Sequence, residues 1–233
     1  MKIIFVLILM LIPLETYAQQ NFFNVPSFEI TKKNKLFFQQ QFNVNDSIES
    51  NSTFDWGFED GLEIGFNIYG IEINNPLTSR NSTDGKFEHL TLLNFQKQLK
   101  YSDLVSLGIG SQLGALNSEF YFNGAAANIY ASLILHRSGK FNFTVGPWLA
   151  NDMYLRSVPS AAGIQAGGEW YLKRDHFALV IDSISGHTPI SVTVVGFNYN
   201  LTRNWLLSMG NQIPNTKIAN HAVVFELTYK DSE

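Results

Sequence analysis

Apolar and polar side chains alternate with a period of two through much of this chain. Leu62, Ile64, Phe66 and Ile68 are apolar, and Glu63, Gly65 and Asn67 fall between them. Successive residues of a strand point to opposite faces, so the segment predicts a strand with one apolar and one polar face. Ser52 to Phe58 repeats the pattern, with Phe54, Trp56 and Phe58 opposed by Asp55 and Gly57. Glu59-Asp60-Gly61 lies between the two, and Asp-Gly marks a tight hairpin because such turns need positive φ. The unit recurs in Val105 to Leu113, Phe141 to Leu149 and Val223 to Tyr229. Phe87 to Leu99 alternates too poorly to assign its faces. No helical 3.6-residue period of useful length follows the leader.

Connections alternate in kind as well. Glu59-Asp60-Gly61, Lys100 to Asp103, Ser138-Gly139-Lys140, Lys173-Arg174-Asp175 and Thr202-Arg203-Asn204 are tight and polar. Interleaved with them are Asn45 to Asn51, Asn74 to Lys86, Asn117 to Phe120, Arg156 to Ser160, Gly186 to Thr188 and Pro214 to Lys217. These connections imply about twelve strands, an even number of the kind that bacterial outer-membrane barrels carry. The expected fold is all-β, an antiparallel up-and-down transmembrane β-barrel over residues 35–230. The tight turns are expected on the periplasmic side.

The chain begins Met1-Lys2, continues with an apolar run from Ile3 to Leu14, and reaches small residues at Thr16 and Ala18. That order is a secretory signal peptide, residues 1–18, cleaved before Gln19. The apolar run is too short for a membrane-spanning helix, which needs about 20 residues. Residues 19–34 are expected as a periplasmic N-terminal segment and 231–233 as a C-terminal tail. The cell outer membrane of a Gram-negative bacterium is the expected location.

Composition sharpens this picture. Only 15% of residues are charged while 14% are aromatic. A soluble β-sandwich or jelly roll needs a charged outer face, and these strands offer Asn, Gly and Thr instead. A net charge of −4 supplies no basic field for nucleic acid. The absence of cysteine excludes a thiol nucleophile, thiolate metal sites and a lipidated N-terminal cysteine.

The signal ending in Ala18-Gln19-Gln20, the hairpin Phe54 to Gly65 and the aromatic-alternating last strand resemble small outer-membrane transporter barrels of the meta-pathway phenol-degradation type. The resemblance implies a passive pore or channel-like protein for small molecules, apolar ones included. Barrel insertion signals end on an aromatic residue, whereas Tyr229 here is followed by Lys230-Asp231-Ser232-Glu233. Outer-membrane lipid, the barrel-assembly machinery during biogenesis and a small solute are the expected partners.

Lumen-facing groups are the best functional candidates, because they line any path. Alternation selects Asp55, Glu63, Asn67, Asn142, Asp152, Glu169, Asp182 and Glu226. Carboxylates pointing at lipid are costly, and inward acids favour cations in a pore. The competing role is filling: twelve strands enclose a modest lumen that hydrogen-bonded side chains can close. Phe54, Trp56, Phe141, Trp205, Phe225 and Tyr229 are expected to face lipid. His89, His136, His176, His187 and His221 lie apart without metal-ligand spacing. Ser183 and Ser185 near His187 raise a lipid-hydrolase alternative, but no Gly-x-Ser-x-Gly elbow accompanies them. No catalytic residue, metal or cofactor is assigned. Gly108-Ile109-Gly110 lies inside a strand, where glycine eases curvature or leaves room for a large neighbour. The expected function is a passive channel or transporter, with a non-conducting structural or interaction barrel as the alternative.

Overall fold

A computed structural model describes residues 21–27, 29–73, 88–118, 121–156, 158–173 and 176–231. It contains twelve strands. The first six are β1 (Leu36–Val44), β2 (Ile48–Glu59), β3 (Leu62–Ile73), β4 (Glu88–Lys100), β5 (Val105–Ser118) and β6 (Tyr121–Arg137). The rest are β7 (Phe141–Ala150), β8 (Ala161–Lys173), β9 (Phe177–Ile184), β10 (Val192–Asn200), β11 (Trp205–Pro214) and β12 (Ala222–Lys230). Every strand pairs antiparallel with its sequence neighbours, and β1 pairs with β12 to close the barrel. The closing ladder runs from Phe37 opposite Lys230 to Val44 opposite Val223.

Alternation fixes which face each residue takes. Phe54, Trp56 and Phe58 of β2 point outward, as do Ile109 of β5, Val145 of β7 and Ile181 of β9. Asp55, Glu63, Asn94, Asn142 and Glu226 point inward and are buried. An apolar band therefore surrounds the whole barrel, a surface far larger than soluble monomers expose and suited to hydrocarbon. No helix among the described residues is long and apolar enough to cross a membrane. Outward aromatics gather at the tight-turn end, where Trp56 meets Phe58 edge-on at 5.5 Å and Trp205 meets Tyr229 at 5.2 Å. Rings of this kind settle at a lipid–water boundary.

The five tight connections share one end of the barrel with the start of β1 and the end of β12. Gly61 takes φ 71° between β2 and β3, the conformation that the Asp-Gly pair predicts. At the other end, Asn45 to Ser47 joins β1 to β2. This connection is shorter than the expected Asn45 to Asn51, because Ile48 already pairs with Ile73 and continues the ladder. Residues 151–160 join β7 to β8. The signal peptide and the connection Asn74 to Lys86 lie outside the described residues.

The lipid-facing band yields a quantitative expectation. Ile181 sits half-exposed in the middle of β9. Ile181→Arg lowers folding stability by about 2–4 kcal/mol. Urea titration of protein folded into vesicles reads this loss, and an unchanged midpoint would remove Ile181 from the bilayer.

Candidate functional site

The N-terminal segment enters the barrel. Residues 19–34 were expected in the periplasm, but Phe22, Val25 and Ser27 are fully buried and Phe23 is 2% exposed, all within the lumen. From β1 the chain turns back at the tight-turn mouth, where Asn34 N–H donates to Gly57 O at 2.7 Å and Gly57 N–H donates to Lys35 O at 3.1 Å. It then climbs the lumen. Thr31 N–H donates to Glu63 Oε2 at 2.9 Å, and Asn142 Nδ2 donates to Glu29 Oε1 at 3.0 Å. Thr144 Oγ1 donates to the Pro26 carbonyl at 3.3 Å. At the top, the N–H groups of Phe23, Asn24 and Val25 converge on Asp182 Oδ2 at 2.9, 2.6 and 3.0 Å. Consecutive backbone donors around one oxygen form the concave nest by which main chain holds an anion.

The barrel wall is hollowed to receive this segment. A Cβ at Gly167 would strike the Phe22 ring, and one at Gly196 or Gly210 would press on Phe23. An aromatic-rich stretch of Asn21-Phe22-Phe23-Asn24-Val25-Pro26 is poorly suited to water, and that is the sequence signal for its burial. Asp182 and Thr144, which hold it, lie more than a hundred residues away, so its place is not legible locally.

The carboxylates and amides selected by alternation divide into two groups. Asp182, Glu63 and Asn142 grip the N-terminal segment. Asp55, Glu169 and Glu226 are buried in side-chain networks of the wall. Asn94 Nδ2 donates to Asp55 at 3.1 Å, and Asn198 Nδ2 and Tyr171 Oη donate to Glu169 at 2.7 and 2.6 Å. Ser208 Oγ donates to Glu226 at 3.2 Å, and Asn67 is fully buried on the same inner face. Asp152, expected in the lumen lining, does not join them. It is exposed on a turn past the end of β7, because the strand stops at Ala150 and alternation no longer applies.

That turn folds inward. Ala127 N–H donates to Asn151 Oδ1 at 3.0 Å, and Asn151 Nδ2 returns a bond to Ala125 O at 2.7 Å. Leu155 is thereby buried and Tyr154 reaches Gln112 Oε1 at 2.6 Å. Burial pushes the Tyr154 phenol above its usual range, so it remains a hydroxyl donor. Arg156 lies over Gly70, which has φ 79° and no Cβ to obstruct the guanidinium, and pairs with Glu49 at 3.5 Å.

Two cavities result, separated by the segment. The outer one, about 310 Å³, is floored by Phe23, Asn24 and Pro26 and opens between Asn45, Pro189 and Asn220. The inner one, about 390 Å³, lies at the tight-turn mouth between Ile30, Lys32, Phe37, His136 and Lys230. The ring of Tyr130 packs over Gly110, so that strand glycine makes room for a large neighbour. Near the outer rim, His187 Nδ1 lies 2.8 Å from Thr216 Oγ1. Ser185 Oγ instead accepts from Ile164 N–H at 2.8 Å, and Ser183 Oγ lies 2.8 Å from Thr193 Oγ1. Neither serine is paired with the histidine, so the Ser–His arrangement that acyl-transfer chemistry needs is not formed.

No family model and no curated protein matches the chain. Solved structures do. A KdgM porin in complex with disordered oligogalacturonate superposes with a TM-score of 0.55 at 8% identity, covering 84% of this chain and 99% of that one. A second KdgM porin structure gives 0.56 at 10% identity with the same coverage. The chain shares the fold of the KdgM porin. At this level of identity the likeness is one of architecture alone.

The grip on the segment can be measured, since the chain has no cysteine of its own. Asp182→Ala removes the acceptor of three backbone donors. A single Phe23→Cys probe, buried in the parent protein, is expected to react with maleimide at least tenfold faster when Asp182→Ala is added. Equal rates in the two backgrounds would show that the nest does not hold the segment.

Proposed function

We propose that this chain is an outer-membrane barrel, exported by cleavage after Ala18, that passes a small solute when its N-terminal segment leaves the lumen. The observation that carries the reading is the segment itself, which divides the lumen into two facing cavities. Burying Phe22, Phe23 and Val25 contributes about 5–9 kcal/mol, and the three hydrogen bonds to Asp182 add about 2–4 kcal/mol. Ordering the backbone of Asn21 to Ser27 costs about 7–14 kcal/mol. These opposing terms nearly cancel, which supports a plug that can leave rather than a permanent core. Lipid around the apolar band and the assembly machinery that inserts it are the partners this reading requires.

The KdgM porin forms a complex with oligogalacturonate, so a barrel of this architecture accommodates an acidic sugar chain. The lumen here carries inward acids. Asp55, Glu63, Glu169, Asp182 and Glu226 all face inward, and the Lys230 ammonium lies in the field of Glu29, Glu169 and Glu226. An acidic lining repels a polyanion and favours a neutral or cationic solute. The apolar solute implied by the phenol-degradation resemblance is also disfavoured, because burying the carboxamides of the outer cavity against it would leave them without hydrogen bonds.

Full burial of Phe22 favours a second reading, a barrel that never conducts. Planar bilayers separate the two. Residues 19–233 are expected to give rare, brief openings, and Phe22→Ser with Phe23→Ser is expected to give steady conductance with cations preferred over chloride. If the double variant shifts on gels after boiling, as a folded barrel does, and yet carries no current, the passage reading falls and the non-conducting barrel stands.

A further inference from the structure

The outer cavity has a composition of its own. Among the described residues, twelve of the thirty that line it are Asn or Gln, and only Glu49, Glu72 and Arg156 at the rim are charged. Glu49 and Arg156 already pair with each other. One wall is a connected network: Gln112 Nε2 donates to Tyr69 Oη at 3.2 Å, Asn128 Nδ2 donates to Gln112 Oε1 at 3.2 Å, and Tyr154 Oη joins the same oxygen. Such a network holds its side chains in fixed orientations.

Beside this wall stand donors without acceptors. Trp148 is 3% exposed and Gln165 is 4% exposed, and both line the cavity. Trp148 Nε1, Gln165 Nε2 and, on the cavity floor, Asn24 Nδ2 have no hydrogen-bond partner among the described residues. Buried donors of this kind cost about 1–3 kcal/mol each when unsatisfied, and these three sit on residues that line one cavity, where an acceptor taken up would satisfy them.

We infer that the outer cavity is a binding site for a small neutral saccharide, of one or two sugar rings. Each element of the cavity fits that chemistry. Sugar hydroxyls both donate and accept, as carboxamides do, so the two satisfy each other without charge. The indole of Trp148 borders the cavity and brings an apolar ring edge together with an N–H for a hydroxyl. A phosphate or a uronate would need cations where the lining has amides, and an amino acid would need charged anchors for both of its ends. The volume, about 310 Å³, lies at the small end of ligand pockets, which span about 300–1,000 Å³. Because Asn24 belongs to the N-terminal segment, the bound sugar touches the plug directly.

The inference names the solute class of the proposed passage and rests on that reading for its direction of travel. Binding, however, is measured on the closed protein without any current, so the two fail separately. Trp148 is inside the barrel, while Trp56, Trp170 and Trp205 face outward at 41%, 60% and 37% exposure. The folded protein, in a detergent without a sugar headgroup, is titrated with maltose, cellobiose and lactose. Digalacturonate and phenol serve as the anionic and apolar probes, with fluorescence and calorimetry read together. At least one neutral disaccharide is expected to saturate the site and change the tryptophan emission, with digalacturonate and phenol at least tenfold weaker. Trp148→Phe abolishes the emission change, and Gln165→Leu weakens calorimetric binding about tenfold. Heat-modifiability confirms that each variant is folded. Absence of saturation with all three disaccharides overturns the inference. Equal binding of digalacturonate or phenol overturns it too, as does unchanged affinity in folded Gln165→Leu.

Discussion

A polypeptide in hydrocarbon has no water to complete its backbone hydrogen bonds, and every other feature of this protein follows from how that constraint is met. Twelve strands satisfy it by pairing around a closed ring, with β1 and β12 sealing the last edge. Closure then imposes two opposite environments on each strand. Side chains at one parity meet lipid and must be apolar, which is why Phe54, Ile109 and Ile181 can be half-exposed without cost. Those at the other parity meet a narrow interior and must fill it, line it or hydrogen-bond across it.

The interior of a twelve-stranded barrel is wider than its own side chains fill. Here the gap is taken up by the protein's own N-terminus. The segment is held by contacts of two kinds, aromatic rings seated over glycines at Gly167, Gly196 and Gly210, and backbone donors gathered on Asp182. Neither kind is strong enough alone to offset the ordering of the segment. A buried carboxylate serving as an anchor for main chain also gives the lumen acids a role while the segment is docked. Glu63 and Asp182 are engaged by the segment, and Glu169 and Glu226 by the wall.

The two ends of the lumen have become chemically distinct as a result. The inner mouth collects ionisable groups, with Lys230, Lys32, Glu29 and His136 around one cavity. The outer cavity is nearly uncharged, amide-rich and aromatic, with the inward turn at residues 151–156 narrowing its entrance. A solute arriving from outside therefore meets neutral hydrogen-bonding groups first and the plug second.

Strand periodicity by itself determined the fold class, the strand number, the parity of most inward and outward residues and the position of hairpins such as Asp60-Gly61. These are local properties, because a side chain's face depends only on its place in the strand. Asp152 marks where that rule stops, one residue pair beyond the end of β7. The lumen plug, the inward turn at Asn151 to Arg156 and the meeting of Asn24, Trp148 and Gln165 around one cavity were decided only by tertiary structure. Each brings together residues far apart in the chain, such as Phe23 and Asp182, 159 positions apart. Alternation says that Asp182 points inward, but closure of the ring decides what it meets there.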